Sequence, residues 1–172
     1  GGEDYAEVLY EGYGPNGVAI LCDILTDNRN RTAGEVRKIF EVHGGNLGAT
    51  GCVAWMFERK GIFVIPASAV TEERLFEIVL EAGADDVSAQ GEVFEVTCKP
   101  DCFQAINDAL TEAQIPTEVA EVTRIANQEV QLDIDAARDV MKLVEALEDN
   151  EDIQSVTGNH FIPDDVMAQI EG

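Results

Sequence analysis

Gly12, Gly14 and Gly17 in EGYGPNGVAILCDI spell a formal G-x-G-x-x-G, the spacing that lets a backbone approach a pyrophosphate. That chemistry needs a strand before the glycines and a helix N-terminus directly after them. Here a strand-like run follows instead, Pro15 sits inside the loop, and Asp23 lies far short of the ~20 residues that separate the acidic ribose ligand from such a motif. The glycines therefore read as turn residues able to take positive φ. Cys98 and Cys102 could supply two zinc ligands, but there is no second pair. Cys22 lies in an apolar run, and His43 and His160 lack ligand-spaced neighbours. All four cysteines, Cys22, Cys52, Cys98 and Cys102, read as reduced thiols, which suits a reducing, cytoplasmic setting. No metal, cofactor or small-molecule substrate is expected. The 34 acidic residues make chance neighbours such as Asp85-Asp86 and Glu72-Glu73 inevitable, and adjacent side chains on a helix do not converge. G-x-S-x-G, H-E-x-x-H and phosphate-loop motifs are all missing from the sequence, so no enzyme is expected. His43, at a helix end, reads as a capping or packing residue.

Charge is the feature with more to say. A formal net charge of -23 argues against a protein that wraps duplex nucleic acid, because such binding depends on cations displacing counterions from phosphate. The distribution is lopsided, however. Between residues 29 and 60 lie six basic residues (Arg29, Arg31, Arg37, Lys38, Arg59, Lys60) against three acidic ones, a net of +3. The rest of the chain beyond Lys60 carries five basic and 25 acidic residues, a net of -20. Those six basic residues form the candidate nucleic-acid-binding edge, in which each neutralises and positions phosphate. The competing reading is solubilising charge. No aromatic is interleaved with them, so base stacking on this edge has no support in the sequence.

The elements that must carry these residues can be read from periodicity. VAILCDILT, residues 18–26, is a nearly continuous apolar run that fits a strand covered on both faces. TDNRNR breaks it, and Thr32 with Glu35 forms a T-x-x-E capping box ahead of Val36, Ile39 and Phe40, until Gly44-Gly45 stops the helix. CVAWMF and GIFVIP read as a hairpin turning at Glu58-Arg59-Lys60. Thr71 caps a helix closed by Gly83, and a strand pair turns near Gln90-Gly91. Asp101 caps the next helix, residues 117–125 alternate as a half-buried strand, and a short strand at 129–133 precedes a helix capped by Asp135. IQSVTGNHFIP closes the order as a final strand interrupted at Gly158. The pattern predicts an α+β protein in which residues 1–66 plus 128–172 form one lobe, with 67–127 inserted as a second. No uncharged apolar run approaches the ~18 residues of a membrane span, so no membrane partner is expected.

YEGYGPNGVAI, LTDNRNRTAGEVRKIFEVHGGNLG, GCVAWMFERKG, LEAGADDV and ALEDNEDIQSVTGNHFIPD, in that order, resemble the characteristic blocks of the YebC family of gene-expression regulators. The resemblance covers essentially the whole chain. It departs at Asn16, where the family more often has glycine, and asparagine also tolerates the left-handed region. It departs again at the start, since family members usually begin with a basic helical domain that does not precede Gly1 here. The resemblance implies domains two and three of a three-domain protein, built as two ferredoxin-related α/β sandwich lobes. It further implies a non-enzymatic regulator that binds nucleic acid, named in the family as a probable transcriptional regulator. Two alternatives accompany it: a translation factor acting on the ribosome, in this family linked to stalling on proline-rich sequence, and a protein-interaction module without nucleic-acid contact.

Overall fold

The computed structural model describes residues 4–171. Along the chain run β1 (Ala6–Tyr13), β2 (Ala19–Thr26), α1 (Arg29–Val42), β3 (Asn46–Leu47), β4 (Phe57–Pro66), α2 (Glu72–Glu81), β5 (Asp86–Gln90) and β6 (Val93–Cys98). They are followed by α3 (Phe103–Glu112), β7 (Val119–Ala126), β8 (Val130–Gln131), α4 (Ile134–Glu148), β9 (Ile153–Gly158), β10 (His160–Phe161) and α5 (Asp164–Glu171). This is an α+β chain of two compact units, Gly1–Glu58 with Ala126–Gly172, and Arg59–Ile125. The chain passes from one to the other inside β4 and again near the end of β7.

The first unit is an antiparallel sheet in the order β3-β1-β2-β9. The apolar run expected as a strand is β2, and both of its faces are covered over the first half. Ile20, Cys22 and Ile24 pack with Val36 and Phe40 of α1 and Val140, Leu143 and Leu147 of α4, while Ala19 and Leu21 pack with Val53 and Phe57 on the other side. β2 and β9 pair antiparallel in this sheet, with Ile20 opposite Gly158 and Cys22 opposite Val156. Burial, with Asp23 nearby, pushes the Cys22 thiol up to about 12, so it stays a neutral, inert packing group.

The glycine-rich turn, read from the sequence as a turn, connects β1 and β2 as a hairpin. β1 and β2 pair from Ala6↔Thr26 to Tyr13↔Ala19, and the Gly14 N–H donates to the Val18 carbonyl at 2.8 Å. Asn16 (φ 63°) and Gly17 (φ 75°) take the left-handed conformation between them. β1 itself escapes the periodicity argument, because its charged residues at 7 and 11 interrupt the apolar pattern.

The second unit runs β4-α2-β5-β6-α3-β7 with sheet order β5-β6-β4-β7, the split βαβ arrangement of ferredoxin-like folds. Its core gathers Phe63, Ile65, Leu75, Val79, Val96, Ile106 and Leu110. The Thr71 cap forms, its side chain accepting the Arg74 N–H at 3.2 Å, and Gly83 ends the turn after α2 at φ 108°. The expected hairpin at 90–91 is present, with Ala89 opposite Phe94 and Gly91 at φ 66°.

Several local expectations are corrected. Glu58-Arg59-Lys60 is not a turn: Phe57, Gly61, Phe63 and Ile65 are buried with one parity, so β4 is a single strand that carries the charged triplet, while Ala54–Met56 forms a short 3-10 turn. Thr32 does not cap α1; Asn28 does, accepting the Arg31 N–H at 3.1 Å, and Thr32 is buried inside the helix. Asp133 rather than Asp135 caps α4, accepting the Ala136 N–H at 2.9 Å. Asp101 lies in a 3-10 turn before α3 and makes no cap. β7, an edge strand beside β4, shows no alternation: its first three residues are exposed and the rest half-buried. Beyond Pro163 the chain forms α5, whose Val166 and Ile170 pack on the first unit's core.

His160 carries the clearest pH consequence. Its Nδ1 is buried with no hydrogen-bond partner among the described residues, and burial lowers its pKa below the usual 6.5. The folded state therefore favours the neutral ring. Its contribution is full above pH 6.5 and is lost as pH falls through the folded-state value. The melting temperature is expected to fall between pH 7.5 and 5, with a smaller fall in His160→Asn; equal slopes in the two proteins would contradict this account.

Candidate nucleic-acid interface

β2 ends at the buried Thr26, whose hydroxyl accepts the Asn28 N–H at 3.0 Å and so turns the chain directly into α1. Thr32, Val36 and Phe40 fall on one side of that helix and are buried. Arg37 and Lys38 follow on the side turned to solvent, and Arg29 stands exposed in the first turn. Neither Arg29, Arg37 nor Lys38 forms an ion pair among the described residues. The first turn of α1 has no acidic residue, so the positive end of the helix dipole and Arg29 reinforce one another.

Arg31 has a different task. Its Nη2 donates to Asp152 Oδ2 at 2.8 Å and to Asp27 Oδ1 at 3.1 Å. The same Asp152 oxygen accepts the Thr32 hydroxyl at 2.8 Å, and Thr32 meets Thr26 at 2.7 Å. Hydrogen bonds from Arg31 and then Thr32 hold the Asp152 carboxyl below its ordinary range, and the Asp152 contact raises Arg31. This network ties the start of α1 to the turn before β9. Arg31 is a structural cation rather than a vacant one.

Arg59 and Lys60 lie in β4, exposed and half-buried respectively, within the second unit. The six basic residues thus divide into four on α1 and two on the other unit. Among the described residues no cluster of three or more His, Cys, Asp or Glu could hold a metal. Cys98 is buried, which raises its thiol pKa, and a side chain at Gly61 would collide with its sulfur. No helix among the described residues is long and apolar enough to cross a membrane.

Two residues were not singled out by sequence reasoning. Glu11 is 2% exposed in β1 and accepts the backbone N–H groups of Gly51 (2.6 Å), Val53 (3.0 Å) and Ala54 (2.7 Å). It thereby fixes the loop ahead of Trp55. Trp55, the one tryptophan in the chain, is 70% exposed, and its indole N–H donates inward to the Cys52 carbonyl at 3.1 Å. The run CVAWMF reads as a strand, and only the preceding Gly48-Ala-Thr-Gly51 hints that a loop extends into it.

Comparison with known proteins places these features in a lineage. The family model described as "TACO1/YebC second and third domain" matches residues 5–160. A probable transcriptional regulatory protein of Rubrobacter xylanophilus is 47% identical over 169 residues, covering 98% of this chain and 68% of the relative. A protein of the same description from Thermobifida fusca is 49% identical over 170 residues, covering 99% and 68%. The crystal structure of a conserved hypothetical protein from Aquifex aeolicus superposes with a TM-score of 0.80 at 45% identity, covering 95% of this chain and 68% of that one.

Proposed function

The chain belongs to the TACO1/YebC family, matching its second and third domains, and on that premise we propose that it is a non-enzymatic regulator of gene expression that contacts nucleic acid through α1. The observation that carries this reading is the cationic side of α1, where Arg29, Arg37 and Lys38 are exposed with no ion pair among the described residues in a chain of net charge -23. Cations left unpaired amid such an excess of acid are available to phosphate. The relatives' description as probable transcriptional regulatory proteins agrees with it, and we assign its action to the cytoplasm.

A second reading, action on ribosomal RNA as a translation factor, is favoured by one feature. A narrow cationic face on a strongly acidic chain suits docking on a shaped RNA surface better than tracking along a uniform duplex. Arg59 and Lys60 are assigned the same phosphate-positioning role on the second unit.

The test compares the protein with Arg29→Glu/Arg37→Glu/Lys38→Glu, leaving Arg31 in place because its loss would disturb the Asp152 network. Binding to random duplex DNA and to purified ribosomes is measured across a salt series. The variant is expected to bind more weakly and to lose about 3 from the slope of log K against log salt, about one for each phosphate contact removed. DNA binding supports the transcriptional reading and ribosome binding the translational one. An unchanged slope on both would leave a protein-interaction module.

A further inference from the structure

The exposed Trp55 has no counterpart in the requirements of folding. Its loop is clamped by three hydrogen bonds to a buried carboxylate, and its single polar atom is spent on Cys52, so a rigid apolar ring face is presented to water. Beside it is a cavity of about 610 Å³, a size ordinary for small-ligand sites. Its other walls are Met56, Val130, Asn127, Gln128 and Asn159, with Glu129 the one charged residue among them.

The walls belong to the first unit and are tied to one another. The Asn127 N–H donates to the Met56 carbonyl at 2.9 Å, and the Val130 N–H to the Asn159 carbonyl at 2.7 Å. Asn159, a lining residue, is 8% exposed; its Oδ1 accepts the Ala19 N–H at 2.8 Å, and its Nδ2 makes no hydrogen bond among the described residues. Asn127 and Gln128 are exposed, and their amides make no side-chain hydrogen bond among the described residues.

We propose that this cavity receives one unpaired nucleobase, stacked on the Trp55 indole with its edge against the amides of Asn127, Gln128 and Asn159. A carboxamide offers a donor and an acceptor side by side, the pattern that matches a base edge. The cavity has no cation and one carboxylate, so it accepts the base and not the phosphate. An apolar peptide side chain would fill the space but offer no partner to the Asn127 and Gln128 amides or to the Asn159 Nδ2, which costs binding energy. The proposal rests on the nucleic-acid reading above and specifies single-stranded RNA as the part recognised here.

Because Trp55 is the only tryptophan, its fluorescence reports on this cavity alone. The full chain is titrated with fluorescently labelled RNA octamers of one base each and with an abasic octamer, with binding followed by anisotropy and stacking by tryptophan quenching. Saturable quenching by at least one base-bearing octamer, and none by the abasic one, is expected. Trp55→Ala should weaken that octamer by about ten- to a hundredfold, while Trp55→Phe retains most of the affinity. Asn127→Ala and Gln128→Ala should reorder the octamers, whereas charge reversal on α1 should weaken all of them alike without changing the quench at saturation. Octamer binding with unaltered tryptophan emission and unaffected by Trp55→Ala would overturn the cavity assignment and leave the nucleic-acid reading standing. No octamer, duplex or ribosome binding at all would overturn both. Quenching or a spectral shift only with a proline-rich peptide would assign the cavity to a different occupant.

Discussion

Glu11→Ala is expected to destabilise the first unit by about 3–5 kcal/mol, because three backbone N–H groups lose their acceptor at a cost of about 1–3 kcal/mol for each one left buried and unsatisfied. The carboxylate accepts three backbone N–H groups at 2.6–3.0 Å, two from the loop and one from the first residue of the 3-10 turn, whose N–H has no partner within that turn. Alanine removes both acceptor oxygens, and with them all three hydrogen bonds, and leaves a void where water is only partly admitted, since Val53 is fully buried. Glu11→Gln separates charge from shape. Its carbonyl can still serve Val53 and Ala54, but its amide nitrogen would face the Gly51 N–H, donor against donor. An intermediate loss is therefore expected. Denaturant unfolding gives the total, and hydrogen exchange at Gly51, Val53 and Ala54 shows whether the loop opens first. A loss under about 1 kcal/mol with those amides still protected would remove Glu11 from its role as the loop's anchor. The same loop holds Trp55, so the variant should also alter tryptophan emission.

Phe40→Ala should cost about 3–5 kcal/mol, the usual range for emptying a buried phenylalanine site. The ring is 0% exposed within the core formed by β2, α1 and α4. It also lies against the β1 backbone: a side chain added at Gly12 would come within 3.0 Å of Phe40 Cε1 and 2.6 Å of the Asn46 carbonyl. Rigid backbone on one side limits how far the site can collapse, which puts the cost toward the upper part of the range. Lys38→Ala, two residues away on the solvent side, should change stability by no more than about 0.5 kcal/mol. The pair is read by denaturant titration with circular dichroism. Equal effects would mean that α1 does not dock on the sheet through Phe40, and the orientation given to Arg37 and Lys38 would fall with it.

What could be read without coordinates was what short-range physics sets. The β2 run is apolar because both its faces are covered, α1 has its Val36, Ile39 and Phe40 stripe, and Gly83 and Gly91 mark places where the chain must take positive φ. Those signals lie within a few residues of the feature they announce, and the α+β class follows from their order. The family, too, was legible in long uninterrupted blocks of residues, and the comparison bears that out.

Other features depended on partners remote in sequence. The T-x-x-E pattern at Thr32 is real, but Asp152, 120 positions away, captures the Thr32 hydroxyl while Asn28 supplies the cap. Glu58-Arg59-Lys60 has turn composition, yet it sits inside a strand that carries the chain from one unit to the other. The same holds for the candidate site. Sequence alone determined which six residues are cationic and that four of them sit on or beside one helix. Only the tertiary structure decided that Arg31 is committed to Asp152, and that Glu11 reaches 40 residues along the chain to hold a loop. It also decided that the chain's one tryptophan faces water beside three amides. Composition fixes a side chain's charge and chemistry, whereas its availability is set by neighbours that only folding brings within hydrogen-bonding distance.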